Sequence, residues 1–265
     1  MALRIATFNV NSIKSRLDVV LDWLQRADID ILGMQELKLE EGRFPFAAFA
    51  ELGYECAVFG QKAYNGVAIC SRLPLEDVRP GFGDPELDQQ RRIITARVGD
   101  LWLVDVYAPH GDARGGEKYF YKLEFYRRLE DYLRRSFSPK DRVCLMGDLN
   151  VAHRDEDVWD PELLRDSIGT MREEREAFGR LLDFGLYDVF RHLYPGTHKY
   201  TWWDYVGGAI WKDQGMRIDY LLVTRPLLPR SREVAIDLGP RRRRKPTPSD
   251  HAPVVLTLDV EPSPG

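Results

Sequence analysis

Three cysteines in 265 residues are too few, and odd in number, for a disulfide framework. Cys56, Cys70 and Cys144 each sit in an apolar stretch and read as small core residues in a reducing compartment. Nowhere does an apolar run approach the ~18 residues that a membrane-spanning helix needs. An excess of one charge is missing too: 38 Lys+Arg face 42 Asp+Glu, which leaves a formal charge of −4. That excludes a uniformly basic coat for nucleic acid but leaves room for a basic face beside an acidic site. There is no basic-then-apolar leader, because Leu3-Arg4-Ile5-Ala6-Thr7-Phe8 already alternates as a strand does. The expected setting is intracellular and cytoplasmic, without a membrane.

What is present is an ordinary globular composition, 44% hydrophobic and 30% charged, long enough to bury a substantial core. Arg4–Val10 predicts a strand ended by Asn9 and Asn11, and Ser12 is placed to cap the helix that follows. Ile13, Leu17, Val20, Leu21 and Leu24 form one apolar stripe at helical spacing. Further strands are expected at Ile29–Met34, Cys56–Phe59, Val67–Cys70, Ile93–Val98, Leu101–Tyr107, Val143–Met146, Ile218–Thr224 and Val254–Leu258. Helical patterns cover Glu117–Phe137 and Arg172–Phe184. This order suggests an α/β protein with two mixed sheets packed face to face and helices outside, not one parallel sheet. One domain over residues 1–260 is expected, followed by a short flexible tail at 261–265. The loop at 81–92 is weakly patterned.

Apolar strands run directly into carboxylates, amides or an imidazole: Asn9 and Asn11, Glu36, Tyr107, Asp148 and Asn150, and Asp250-His251. Rigid strands can aim such side chains into a shared crevice, where α/β folds gather their ligands. In Gly147-Asp148-Leu149-Asn150, the glycine permits a sharp exit, and the two polar residues point to one side if the chain stays extended. Asp219 lies inside an apolar strand, where an unpartnered carboxylate is costly. Arg217, two residues away, is one available partner, and a histidine brought in by another strand, such as His251, is the other.

Taken in order, Phe8-Asn9-Val10-Asn11, Met34-Gln35-Glu36-Leu37-Lys38, Tyr107-Ala108-Pro109, Gly147-Asp148-Leu149-Asn150-Val151, Tyr200-Thr201-Trp202-Trp203-Asp204-Tyr205, Arg217-Ile218-Asp219-Tyr220 and Ser249-Asp250-His251-Ala252-Pro253 carry a resemblance. The chain resembles the exonuclease III family of apurinic/apyrimidinic endonucleases, in the endonuclease–exonuclease–phosphatase superfamily, over residues 3–258. The resemblance implies a four-layer α/β/β/α sandwich, a Mg²⁺ requirement that Mn²⁺ can meet, and phosphodiester cleavage in duplex DNA. The expected DNA carries abasic sites or blocked 3′ ends, and the protein acts as a monomer.

By that resemblance Glu36 is the principal metal ligand, with Asn11 and Asp250 close to the same ion and Asn9 near it. Asp148 and Asn150 are candidate ligands of a second or shifted ion, so one or two ions are expected. Asn9, Asn150, Tyr107 and His251 surround the scissile phosphate, where amide, phenol and imidazole donors meet developing negative charge. Asp219 orients His251. Asp148 either activates the attacking water or protonates the departing 3′-oxygen, with Tyr107 as the rival proton donor. Trp202, Met216 and Ile218 wall a pocket for a base-free sugar. Arg241 and Arg242, in the run Arg241–Lys245, are expected on DNA phosphates.

The chain departs from the family at Thr170-Met171-Arg172-Glu173-Glu174-Arg175, where the family has Phe-x-Pro-x-Glu-Arg, so Thr170 removes an aromatic neighbour of the pocket. Val206 and Trp211 are also unusual in their loop. The enzyme alternative is a phosphodiesterase for phosphoinositides or sphingomyelin, which shares the metal and Asp-His core. The Tyr200–Tyr205 and Arg217–Tyr220 segments favour the DNA branch. A catalytically dead scaffold is disfavoured, because every catalytic position holds a competent residue.

Overall fold

The computed structural model describes residues 2–259, and the tail expected at 261–265 lies outside them. Its first half runs β1 (Leu3–Asn9), α1 (Ile13–Ala27), β2 (Ile31–Gln35), α2 (Phe46–Ala50), β3 (Glu55–Phe59), β4 (Val67–Ser71), β5 (Glu76–Pro80), β6 (Ile93–Val98) and β7 (Leu101–Tyr107). Then come α3 (Glu117–Ser136), β8 (Arg142–Asp148), α4 (Arg172–Asp183), β9 (Leu186–Asp188), α5 (Val189–Leu193), β10 (Asp219–Thr224), β11 (Ser231–Ile236), α6 (Leu238–Arg241) and β12 (Val254–Leu258).

The strands form two six-stranded sheets, ordered β11-β12-β1-β2-β4-β3 and β5-β6-β7-β8-β10-β9. Each sheet has a parallel pair near its centre, β1 with β2 and β7 with β8. Parallel neighbours need a long crossover, and α1 and α3 supply the two. Alternation along the strands then sorts the side chains into layers. Ile5, Ile31 and Ile69 from the first sheet meet Leu103, Met146 and Leu221 from the second in the central core. The outer face of the first sheet carries Phe8, Leu32 and Met34 against Val20, Trp23 and Leu24 of α1. The outer face of the second carries Val104, Val106 and Leu145 against Phe125 and Leu129 of α3 and Phe178 of α4. The result is the expected four-layer α/β/β/α sandwich.

Three edge strands, β5, β9 and β11, were not expected from the sequence. An edge strand lacks a neighbour on one side, and β5 is mostly exposed along its length, so its pattern carries no apolar alternation. Ser12 occupies the N-cap position of α1 but makes no side-chain cap bond; its hydroxyl meets that of Ser15 instead. The reading of all three cysteines as free core residues needs correction. Cys56 and Cys70 lie opposite each other on β3 and β4 and form a disulfide, while Cys144 is free and buried. Two apolar stretches that pair in register can bring two cysteines together, which neither stretch reveals alone.

Gly147 shows how tightly the second sheet is drawn together. It adopts φ 143°, and a Cβ there would stand 1.9 Å from the Val106 carbonyl oxygen on β7. Gly147→Ala is expected to destabilise the fold by about 3 kcal/mol or more, because backbone cannot give way as a side chain tip can. Urea unfolding measures this, and a loss below about 1 kcal/mol would show that β7 and β8 adjust freely.

Candidate active site

Strand directions gather the polar residues at one end of the sandwich. β1, β2, β7 and β8 leave their sheets there, at Asn9, Gln35, Tyr107 and Asp148, while β10 enters at Asp219 and His251 stands just ahead of β12. The register sets Tyr107, Asp148 and Asp219 side by side across the second sheet. Several turns at this end are left-handed without glycine: Asn11 (φ 44°), Glu36 (φ 52°), Lys38 (φ 52°) and Asn150 (φ 51°). Such backbone is held by its surroundings and clusters at functional sites.

Asn9 is fully buried, and its Nδ2 donates to Glu36 Oε1 at 2.9 Å and to Asp148 Oδ2 at 2.8 Å. Ligand atoms of Glu36, Asp148 and His251 all lie within 4.8 Å of one another. Asn11 Nδ2 donates to Asp250 Oδ1, and Trp202 Nε1 donates to Asp250 Oδ2, both at 2.9 Å. Burial alone would raise the Asp250 pKa; the His251 charge and these two donors outweigh it and hold the carboxyl below the usual range. Lys38 Nζ stands 2.9 Å from Glu36 Oε2 and donates to Asn11 Oδ1 at 2.6 Å. Oxygens of Glu36 and Asn11 therefore already converge on a positive charge. An all-oxygen set of carboxylates and amides suits a hard divalent cation.

His251 Nδ1 lies 2.9 Å from Asp219 Oδ2, and its Nε2 lies 3.7 Å from Asp148 Oδ2. Burial disfavours the imidazolium, but Asp219, Asp148 and Asp250 outweigh it and push the His251 pKa up to about 10. Asp148 is raised to about 7, chiefly by burial, with Asp219 and Glu36 adding and His251 opposing. Burial, then Glu36 and Asp148, hold the Tyr107 phenol well above its ordinary pKa, so it is a neutral donor. Asn150 spends one amide proton on the Ala108 carbonyl, at 2.9 Å. Arg217 does not partner Asp219. It is buried between Asp157 (2.8 Å) and Asp188 (2.6 Å).

A cavity of about 300 Å³ opens over these groups, with Trp202, Met216 and Ile218 on its wall. Ile168 and His110, which the sequence did not single out, also line it. Thr170 does not: it is buried, and its hydroxyl donates to the Leu164 and Ser167 carbonyls. The loop turns on Gly169 and presents Ile168 in its place. The expectation for Arg241 is also corrected. It is buried, with Nε donating to Asp250 O and a terminal nitrogen to Trp203 O, so it braces the site from behind. Arg242 is exposed but lines a separate cavity beside Trp203 and Trp211. Arg244 and Lys245 remain exposed surface cations.

Sequence reasoning also missed a fully buried ion pair under the site. Lys122 Nζ donates to Glu174 Oε1 (2.6 Å), to Asn150 O (2.7 Å) and to His110 O (3.0 Å). Glu174 Oε2 accepts from the Gly169 and Met171 amides at 2.7 and 3.1 Å. One pair thereby clamps the three loops that carry His110, Asn150 and Ile168. The available signal was a lysine on the apolar stripe Tyr119, Lys122, Phe125, Tyr126, Leu129 of α3. Lys122→Met should cost about 3–5 kcal/mol, since it strands a buried carboxylate. Lys122→Met/Glu174→Gln should recover part of that loss in urea unfolding. A double variant as unstable as the sum of the singles would show that the two do not act as a pair.

Comparison with known proteins follows the same lines. The profile of the Endonuclease/Exonuclease/phosphatase family matches residues 6–251. Exodeoxyribonuclease III of Haemophilus influenzae is 33% identical over 267 residues, spanning 95% of this chain and 98% of that protein. An AP endonuclease from Archaeoglobus fulgidus superposes with a TM-score of 0.94 at 40% identity, over 97% of this chain and 100% of that one. The 3′ phosphatase NExo from Neisseria, bound to a product DNA hairpin, superposes with a TM-score of 0.93 at 38% identity and the same coverage. The polar strand ends, their convergence in one crevice and these full-length likenesses agree: the chain belongs to the endonuclease/exonuclease/phosphatase family, in its exonuclease III branch of phosphodiester hydrolases.

Proposed function

We propose that this phosphodiester hydrolase is a Mg²⁺-dependent DNA-repair nuclease that cuts duplex DNA 5′ to abasic sites and clears blocked 3′ ends. The observation that carries the reading is the Glu36–Asp148–His251 cluster at the foot of a small cavity walled by Trp202, Met216 and Ile218. Glu36, with Asn11 and Asp250, would hold the cation, and Mn²⁺ fits the same ligands. A cation held by these residues would supply the positive charge that offsets the phosphate's and would polarise the phosphodiester.

The chain's own groups divide the remaining work. His251, kept cationic by Asp219, faces the site through Nε2 and donates to a non-bridging phosphate oxygen. Tyr107 offers a second, neutral donor. Asp148, poised near neutrality, exchanges a proton with the attacking water or with the leaving 3′-oxygen. Asn9 holds Glu36 and Asp148 at fixed separation. The cavity suits a sugar without its base, and flipping out is cheapest where pairing is already lost.

A panel of matched duplexes tests this: abasic, 3′-phosphate and undamaged nicked DNA, each with and without Mg²⁺. Metal-dependent incision at the abasic site, faster than at undamaged DNA, is the expected result. Cleavage of none of the three would overturn the reading.

Asp219 and His251 should behave as one unit. Asp219→Asn/His251→Asn is expected to lose little more kcat than the worse single variant, and additive losses in log kcat would separate them. Trp202 has two roles in the same proposal, as cavity wall and as hydrogen-bond donor to Asp250. Trp202→Ala should lower abasic incision by more than about tenfold, the scale of aromatic contacts to nucleotides. Trp202→Phe, which keeps a ring and drops the donor, should retain the preference for abasic DNA while raising the Mg²⁺ requirement. Steady-state kcat/KM on the abasic and 3′-phosphate duplexes decides it, and equal losses on both for Trp202→Ala would remove the residue from lesion selection and leave it only the bond to Asp250.

A further inference from the structure

Behind the site lies a polar cluster that none of these roles uses. Thr7, Gln35 and Asp105 are all fully buried. Gln35 Nε2 donates to Thr7 Oγ1 at 2.9 Å and to Asp105 Oδ1 at 2.5 Å. Each member stands one or two residues ahead of a site residue along the chain: Thr7 before Asn9, Gln35 before Glu36, Asp105 before Tyr107. Thr7 and Gln35 belong to the first sheet and Asp105 to the second, so the cluster ties the sheets together just beneath the crevice.

Asp105 has no cationic partner among the described residues. Two atoms of the cluster are left over, Gln35 Oε1 and Asp105 Oδ2, each buried without a hydrogen-bond partner. With an ionised carboxylate both are acceptors, and neither can satisfy the other. With a protonated carboxyl, Oδ2–H is the donor that Oε1 lacks. An acid and an amide can pair through two antiparallel hydrogen bonds, and Nε2–H to Oδ1 supplies the first of them. Burial drives the Asp105 pKa well above the carboxylate range, outweighing the Gln35 hydrogen bond and the Val106, Ala68 and Met34 backbone groups that favour the anion. The sequence also makes room for this group. A Cβ on Gly33 would lie 2.8 Å from Asp105 Oδ1 and 2.9 Å from Met146 Cε.

We propose that Asp105 is a neutral carboxylic acid that acts as a positioning residue, locking Gln35 and thereby the turn that aims Glu36 at its cation. Glu36 follows Gln35 directly and sits in a left-handed turn, φ 52°. Ser12 N–H on the Glu36 carbonyl and the Gly66 carbonyl on Leu37 N–H hold the far side of that turn, and the strand end at Gln35 holds the near side. Gln35, gripped from one sheet by Thr7 and from the other by Asp105, fixes that strand end against both. The proposal rests on Glu36 being a metal ligand, but the protonation state of Asp105 does not.

Two measurements on the full chain test it. Infrared difference spectra of the metal-free protein, wild type minus Asp105→Asn at neutral pH, should show the C=O stretch of a protonated carboxyl. Its absence overturns the neutral acid. Mn²⁺ binding, followed by electron paramagnetic resonance, tests positioning. Asp105→Asn can still pair with Gln35 as amide to amide and should bind close to wild type. Asp105→Leu, confirmed folded by its melting curve, should bind Mn²⁺ about tenfold or more weakly, the usual penalty for losing a group that orients a ligand. Wild-type affinity in Asp105→Leu overturns positioning, and equal weakness in Asp105→Asn overturns the paired acid. Glu36→Ala in the same titration separates the two readings: if it binds normally, the ligand assignment falls, and the infrared result still judges Asp105.

Discussion

One amide is hydrogen-bonded to two carboxylates that arrive from different sheets. Asn9 Nδ2 reaches Glu36, at the end of β2, and Asp148, at the end of β8, from a fully buried position. Two carboxylates this close, with Asp219 and Asp250 nearby, repel one another and are poorly solvated. The arrangement survives because donors are fixed among them: Asn9 between the first two, His251 against Asp219 and Asp148, Asn11 and Trp202 on Asp250. The apolar core between the sheets sets the distance across which Asn9 bridges. Packing density in that core is therefore a term in the electrostatics of the site, since a shift of one sheet on the other would open the bridge.

Buried charge is used in a second way further from the crevice. Lys122–Glu174 and the group Arg217, Arg191, Asp157 and Asp188 lie almost entirely out of water. Such pairs add little net stability over well-packed apolar residues, because desolvation offsets most of the attraction. Their value here is directional. Each bonds to backbone or side chains of irregular segments that no sheet ladder could hold. Lys122 holds the carbonyls of His110 and Asn150, and Arg191 holds the Thr197 carbonyl ahead of the Tyr200–Tyr205 segment. Loops that line the cavity thus inherit rigidity from pairs behind them.

This division explains what could be read from the sequence. Central strands and long helices were legible because each buries a face, and burial leaves a period in the chain. The polar residues ending those strands were legible for the same reason, as abrupt interruptions of an apolar run. Edge strands β5, β9 and β11 bury too little to leave a period. Long-range polar pairing was largely invisible. Asp219 offered two partners, and only the approach of β12 beside β1 puts His251 next to β10. Arg241 looked like a surface cation in a basic run, yet α6 turns it inward onto Asp250 and Trp203 carbonyls. Thr170 looked like a missing pocket wall, yet the left-handed Gly169 (φ 85°) redirects the chain so that Ile168 faces the cavity. Cys56 and Cys70 needed the register of β3 on β4 before they could be paired.

Chemistry and selectivity are consequently built from different parts of the fold but are not independent. Glu36, Asp148, Tyr107 and Asp219 sit on or directly beside strands whose register is fixed by two packed faces. The cavity wall comes from the irregular segments around Ile168, Trp202 and Met216, which can vary without disturbing either core. Trp202 joins the two systems, since its ring faces the cavity while its indole N–H holds Asp250, which also receives Asn11. A change of wall residue at this position therefore alters a carboxylate as well as a shape. Ile168 and Met216 have no such bond to the polar groups. Selectivity can shift through those two at small cost to the chemistry, whereas Trp202 is constrained by both.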